Sequence, residues 1–393
     1  MQNHSVQTPP TVLLAAIALA SPLALNAFVP AMPDAATTLG VSTGTIQLTF
    51  TLYLLTLALG QLICGPLADS FGRRPVLLIG FALHLCGSVL GATAGDVDQL
   101  VIARVLQALG GCTGMFLART ILLDLHGREG SAGRMGYIVM SIAIAQSIAP
   151  AIGGYLNLWY GWHSVFWLSL MISALIWLLA LTKLPETAPT PRKPFSLGAL
   201  PQQYAAVLKA PRYLAYVSAT TCIACAFYLF IGSMPYIVTQ QLQGTSADFG
   251  TWFLLVSLSF MAGSFTSTRL AKRISPDKAM YSGNLLSLFG GVVMLLSVLI
   301  YGPGYINFFL PMALVIFGRG LSQPNAQASA ISCAPNSAGT ASGLMGFIQL
   351  LIGATIAQLT PLLLAQGILF VIVPLALLPL GALIFHHFAR QSI

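Results

Sequence analysis

Gly65-Pro66-Leu67-Ala68-Asp69-Ser70-Phe71-Gly72-Arg73-Arg74-Pro75 is a short basic turn joining two long apolar stretches, 47–66 and 76–94. Each is long enough to cross a hydrocarbon core, which takes about 20 residues of α-helix. Working outward, the same alternation continues along the whole chain. Apolar stretches lie at 12–33, 47–66, 76–94, 99–120, 135–157, 163–182, 213–237, 250–270, 279–300, 306–327, 341–363 and 368–388. Of the 393 residues only 7% are charged and 56% are hydrophobic. Such runs are too long and too uniform for a soluble core. Short alternating strands, which a β-barrel would need, are not seen. Helices remain, because lipid cannot satisfy loose backbone groups. The expected fold class is an all-α integral membrane protein.

The positive charges set the topology. With the N-terminus placed in the cytoplasm, the inner loops hold Arg73 and Arg74, Arg128 and Arg134, then Lys183, Arg192, Lys193, Lys209 and Arg212, and finally Lys272, Arg273 and Lys278. Arg119 and Arg269 lie at inner helix ends and Arg390 in an inner tail. The outer loops hold Asp34, Asp96, Asp98 and Asp248 but no Lys or Arg. Basic residues stay on the cytoplasmic side during insertion, so both termini are expected there. No cleavage signal follows the start, so the first span should be retained. The net charge of +8 reflects this inner bias and not nucleic-acid binding. Cys222 and Cys225 form a CxxC inside an apolar stretch and read as small packing residues, so no metal or cofactor is expected. No HExxH, Walker loop or GxSxG occurs, which argues against an enzyme and leaves an ion or substrate gradient as the energy source.

The chain divides near its middle. Residues 183–212 are polar and rich in proline. They read as a cytoplasmic linker, with a short amphipathic helix at 200–209, between an N-terminal bundle (1–182) and a C-terminal bundle (213–393) of six helices each. The turn at 65–75 has a basic counterpart at 264–278, and Arg104 in the fourth span reads as the partner of Arg319 in the tenth. A guanidinium near mid-span costs about 2.5–3.5 kcal/mol on insertion scales, so each should face a cavity or a partner.

The turn resembles motif A of the major facilitator superfamily, with Gly65, Asp69, Gly72, Arg73 and Arg74 at the expected spacings. That family has twelve transmembrane helices in two pseudo-symmetric six-helix bundles. The resemblance implies that Asp69 docks on Arg73 and on the start of the eleventh helix, 336–343, as an inner latch, with Asp124 as a second partner of Arg73. A helix N-terminus favours an anion. Arg104-Val105-Leu106-Gln107-Ala108-Leu109-Gly110-Gly111 resembles motif B, with Ala108 in place of a glycine; there the arginine is implicated in proton coupling. Ala149-Pro150-Ala151-Ile152-Gly153-Gly154 resembles the end of motif C, associated with exporters. Pro150 bends the helix and Gly153 and Gly154 permit close contact.

Thr51 to Tyr53, Gly60 to Pro66, Gly161 to Trp167 and Gly339 to Gln349 narrow the likeness to the Bcr/CflA drug-resistance branch. Membership would imply proton-driven export of chloramphenicol- and bicyclomycin-type compounds across the inner membrane. One departure stands out: the membrane carboxylate of the first span is Asn26 and the following Tyr is Phe28. Asn cannot titrate, so proton coupling at this position is lost, with Asp34 or His84 as titratable candidates beside the Arg104 that the motif B resemblance implies. The substrate cavity is expected among Asn26, Tyr53, Arg104, Gln107, Gln146, Tyr228, Tyr236, Trp252, Arg319, Gln323, Asn325 and Gln349, an aromatic wall with few polar anchors. Few buried carboxylates favour neutral or anionic amphiphiles. The expected partners are a small-molecule substrate, protons and the lipid bilayer, with the chain acting as a monomer. Two alternatives stay open: an exporter or uniporter of one metabolite, motivated by Asn26, and a receptor or scaffold that does not transport.

Overall fold

The computed structural model describes residues 9–188, 200–271, 273–334 and 338–391. Arg192, Lys193, Lys272, Asn336 and Ser337 lie outside them. Twelve helices long and apolar enough to cross a membrane run Thr11–Leu39, Thr43–Phe71, Arg73–Ala92, Val97–Gly127, Arg134–Tyr160, His163–Lys183, Pro211–Gln241, Ser246–Leu270, Pro276–Tyr301, Tyr305–Ser332, Gly339–Gln366 and Leu369–Gln391, here spans 1 to 12. A short helix at Leu200–Leu208 occupies the linker. With an even number of crossings, the start of span 1 and the end of span 12 lie at one end of the described residues, the terminal end; the other is the far end.

Most spans overrun their apolar stretches, because caps carry the helix beyond the apolar core. Ser42 accepts from Thr45 N ahead of span 2 and Asp96 from Gln99 N ahead of span 4. Thr245 and Asp248 form a reciprocal capping box ahead of span 8. These bonds satisfy amides that have no intrahelical partner. Span 1 is not one straight helix: a 3-10 turn at Val29–Ala31 joins Thr11–Phe28 to Met32–Leu39. Pro30 and Pro33, which lack amide donors, account for the break. Gly127, at φ +63°, turns the chain between spans 4 and 5, a conformation that suits a residue without Cβ.

The internal repeat is legible in how helices cross. Gly110 of span 4 lies on the Gly80 carbonyl of span 3, and Gly318 of span 10 lies on the Gly283 carbonyl of span 9. One crossing further, a Cβ on Gly87 would stand 2.6 Å from the Ala103 carbonyl, and one on Gly290 2.8 Å from that of Pro311. Between these points His84 Nδ1 pairs with the Gln107 carbonyl at 2.7 Å, and Ser287 Oγ donates to the Val315 carbonyl at 2.8 Å. Two six-helix bundles thus repeat the same contacts.

That register corrects one expectation. Gln107 corresponds to Val315, Gly111 to Arg319, and Arg104 to the fully buried Met312. Arg319 is therefore not the partner of Arg104. It stands two turns nearer the terminal end, roughly 10 Å along the helix. The glycine contacts between helices, not the presence of an arginine in each span, fix the register of the repeat.

The bundles meet closely at the far end. Thr51 Oγ1 of span 2 donates to Gln358 Oε1 of span 11 at 2.8 Å, and Gln358 Nε2 donates to the Gly44 carbonyl at 3.1 Å. Gly154 of span 5 lies on the Ser246 carbonyl of span 8, and a Cβ on Gly250 would stand 2.6 Å from the Pro150 carbonyl. Further along span 11 toward the terminal end, Gly346 touches Gln61, and beyond it Gly343 and Gly339 have no described atom within 4 Å of a Cβ position. The two bundles are clamped at one end and part toward the other.

Candidate functional site

Span 4 packs against span 1, with Gly111 on Ser21 and Gly114 on the Ile17 carbonyl. This contact brings Arg104 against the middle of span 1. Arg104 has no solvent exposure. Its Nη1 donates to the Ala24 carbonyl at 3.1 Å and to Gln107 Oε1 at 3.0 Å. Its Cζ lies 4.2 Å from the ring centre of Tyr53 and 5.1 Å from that of Phe28. A cation on an aromatic face gains about 2 kcal/mol or more when desolvated. Nε and Nη2 have no hydrogen-bond partner among the described residues. Of the two expected surroundings for Arg104, a cavity or a partner, the structure gives partners, and in this conformer it seals the guanidinium under Tyr53, Phe28 and Phe166.

Gln107 extends the network. Its Nε2 donates to Ser88 Oγ at 2.9 Å and to Ser169 Oγ at 3.5 Å. His84 Nε2 lies 3.3 Å from the same Ser169 Oγ, so His84 is a bonded packing residue between spans 3, 4 and 6. Tyr53 Oη is 2.9 Å from Ser21 Oγ. Asn26 donates within its own helix, to the Pro22 carbonyl at 2.7 Å. The apolar stretches of the sequence contain no Asp or Glu, so the guanidinium is balanced by carbonyl and amide oxygens and by ring faces.

The remaining cavity candidates divide into groups. Arg319, half-buried, donates from Nε to Gln323 Oε1 at 2.9 Å and lies 4.8 Å from the Phe227 ring centre. Gln349 Nε2 of span 11 donates to Thr220 Oγ1 of span 7 at 2.8 Å, and Gly353 lies on the Tyr228 ring. Asn325 donates to Ser267 Oγ at 2.8 Å, a bond between spans 10 and 8. Trp252 stacks on Tyr305, with ring centres 5.7 Å apart, inside the second bundle near the far end. Tyr236 is buried at the far end, and Gln146 is exposed.

The motif A residues form a network of charges within the first bundle. Arg73 binds Asp69 through Nη1 and Asp124 through Nε, the latter at 3.2 Å. Its backbone amide donates to Glu186 Oε1 at 2.9 Å, and Thr187 Oγ1 donates to Asp124 Oδ2 at 3.1 Å, so the start of the linker closes over the cluster. Arg74 Nη2 donates to the Leu181 carbonyl at 2.9 Å. Gly72, at φ +103°, makes the turn, while Gly65 lies against Phe116. At the start of span 11, Gly339 and Gly343 have no described atom within 4 Å of a Cβ position.

The far end carries a junction that sequence reading missed. Asn157 Nδ2 of span 5 donates to Asp34 Oδ2 of span 1 and, at 2.9 Å, to Ser246 Oγ of span 8. Ser246 Oγ donates onward to the Gly154 carbonyl at 3.0 Å. Gly153 lies on the Ala27 carbonyl, so Pro150, Gly153 and Gly154 bring three helices together. An Asn near a span end and a Ser ahead of a capping Asp look like ordinary helix ends; only their approach reveals the junction. Among the described residues no three His, Cys, Asp or Glu side chains converge as a metal ion would need.

A sequence model described as Major Facilitator Superfamily matches residues 14–357. The chain belongs to that superfamily. As a superfamily transporter it has relatives named for drug resistance. It is 27% identical over 360 residues to multidrug resistance protein D of Escherichia coli, covering 88% of this chain and 86% of that protein. It is 25% identical over 350 residues to a bicyclomycin resistance protein homolog of Haemophilus influenzae, covering 88% and 87%. A chloramphenicol resistance protein of Pseudomonas aeruginosa is 28% identical over 334 residues, covering 83% and 75%. Among solved structures, a D-xylose-proton symporter superposes with a TM-score of 0.75 at 14% identity, covering 98% and 97% of the two chains, which bears on the fold alone. With twelve apolar helices, this superfamily member is a multi-pass membrane protein.

Proposed function

We propose that this transporter exports drugs or other amphipathic small molecules across a bacterial inner membrane by proton antiport, working as a monomer with both termini cytoplasmic. Alternating access follows from two bundles that meet at one end at a time. The observation that carries the reading is the one-sided contact: Asn157 and Gly154 join the bundles at the far end, while at the other end Gly339 and Gly343 have no described atom within 4 Å of a Cβ position. In the proposed orientation this conformer faces the cytoplasm, ready for loading.

Asp69, Arg73 and Asp124 gate the cytoplasmic side. When the bundles close there, span 11 comes down on the Asp69–Arg73 pair, and the glycines at its start make room. Coupling rests on Arg104 and Asp34. Arg104 meets an acceptor on the substrate with its unpartnered Nε and Nη2 only once Tyr53, Phe28 and Phe166 move off it during the cycle, and Asp34 is the carboxylate that reaches the junction between bundles. A buried cation without a carboxylate neighbour favours neutral or anionic substrates over organic cations. The relatives named for bicyclomycin, chloramphenicol and multidrug resistance support export of such compounds.

The test uses proteoliposomes with an imposed pH gradient and a panel of amphenicols, bicyclomycin, quinolones and dyes. Drug-dependent proton flux is the expected result. Solute flux indifferent to the gradient removes the antiport, and no flux for any compound removes the exporter. Organic cations outcompeting amphenicols would overturn the substrate class.

A further inference from the structure

On the flank of the first bundle, spans 2 and 3 splay apart and leave a groove of about 740 Å3 with span 4 as its floor. Its rim is Leu59, Ile63, Ile79 and Leu83, all exposed, and its floor carries Leu109, Cys64 and Cys112. These residues lie within the membrane-crossing lengths of their helices, so the groove opens into hydrocarbon. Cys64 Sγ of span 2 and Cys112 Sγ of span 4 stand 3.4 Å apart, each residue 4% exposed. Gly60 makes this possible: a Cβ there would stand 2.5 Å from Cys112 Sγ. Cys112 is further oriented by its bond to the Leu109 carbonyl at 3.0 Å. Neither thiol takes part in the transport reading above.

We propose that Cys64 and Cys112 form a dithiol site, entered from the bilayer, that binds trivalent arsenic carried by an apolar aryl group. A disulfide would require the sulfurs to close from 3.4 Å to about 2.05 Å. An arsenic atom instead bridges two sulfurs at close to a right angle and holds them near the separation they already have. The step balances without an oxidant. An aryl arsenoxide forms two As–S bonds, its As–O double bond and both S–H bonds break, and the two protons leave with the oxygen as water. Arsenic stays trivalent. The aryl group rests in the groove among Leu59, Ile63 and Leu109. Soft thiolate donors suit such a ligand, and the apolar lining excludes hydrated metal ions.

The test uses the full chain in lipid nanodiscs, in a Cys222→Ser background that removes the CxxC as a competing dithiol. Phenylarsine oxide is titrated and adducts are read by intact mass. One adduct per chain is expected, stable to excess monothiol and removed by 2,3-dimercaptopropanol. Cys64→Ala and Cys112→Ala should each lower adduct yield at least tenfold, and Gly60→Ala should lower it with both thiols still present. In the otherwise native chain, phenylarsine oxide should protect the Cys64 and Cys112 peptides from maleimide while Cys86 remains labelled, a readout that needs no variant to fold. Undiminished adduct in either single variant, or no protection of the two peptides, overturns the site. Equal reaction rates for a membrane-impermeant charged arsenical overturn entry from the bilayer.

Discussion

Asn157 of span 5 and Ser246 of span 8 share a 2.9 Å hydrogen bond across the boundary between the two bundles. The same amide nitrogen reaches Asp34 of span 1, so one side chain ties three helices at the far end. A buried hydrogen bond contributes about 1 kcal/mol net, and more with a charged acceptor. That is small against folding but large against the balance between two conformers of a transporter.

Asn157→Ala is therefore expected to open the far end without unfolding the protein. A loss of about 1–2 kcal/mol shifts the ratio of conformers roughly 5- to 30-fold. Distances between spin labels on spans 5 and 8 would report it. An unchanged distance distribution would remove Asn157 from the junction.

Two glycines should bias the cycle in opposite senses. Gly154 lies on the Ser246 carbonyl, so Gly154→Val blocks closure at the far end. Gly343 has no described atom within 4 Å of its Cβ position, so Gly343→Val leaves this conformer intact and obstructs closure at the terminal end. Both variants should lose transport, with thiol labelling rising at the far end for the first and at the terminal end for the second. Identical labelling in both would contradict alternating closure.

Arg104→Lys retains charge but not the planar group that bonds Ala24 and Gln107 while lying on Tyr53. We expect at least a tenfold fall in transport with normal membrane levels, and a smaller fall for Gln107→Leu. Arg319→Ala should behave differently, because the repeat sets Met312, not Arg319, opposite Arg104. Matching defects in Arg104→Ala and Arg319→Ala would argue against that register.

At the other gate, Arg73 holds both Asp69 and Asp124. Arg73→Ala should impair cycling more than Asp69→Asn or Asp124→Asn alone, measured as initial rates in proteoliposomes. Wild-type transport by Asp69→Asn would remove the latch.

Asn26→Asp restores a titratable group two residues from the Ala24 carbonyl that Arg104 binds. A carboxylate there gains from the guanidinium when ionised and loses that attraction when protonated. Transport should become more steeply dependent on the pH gradient. An unaltered pH profile would show that position 26 does not contribute to coupling.

The fold was readable because hydropathy and loop charge act locally. A span needs only length and apolar content, and its proposed direction rests on Arg73, Arg74 and the other basic turns. The site was readable in part. Arg104, Gln107, Asp69 and Arg73 could be named because a guanidinium in oil or a carboxylate among arginines is costly wherever it points. Asn26 and Gln146 carried no such signal: one bonds its own helix and the other is exposed, one turn before Pro150 on the face of span 5 that meets span 8. Cys64 and Cys112, on different spans, could not be paired without coordinates.

By itself, the order of residues determined how many times this chain crosses the bilayer, which turns are basic and which arginines lie in oil. These follow from the free energy of moving each segment between water and lipid, a sum over neighbours in sequence. Tertiary structure alone decided that Arg104 matches Met312, that Asn157 joins the bundles, and that Gly154 lies on the Ser246 carbonyl while Gly343 meets no described atom. Those outcomes depend on which helix faces come within a few ångströms, and residues far apart in the chain set that distance together.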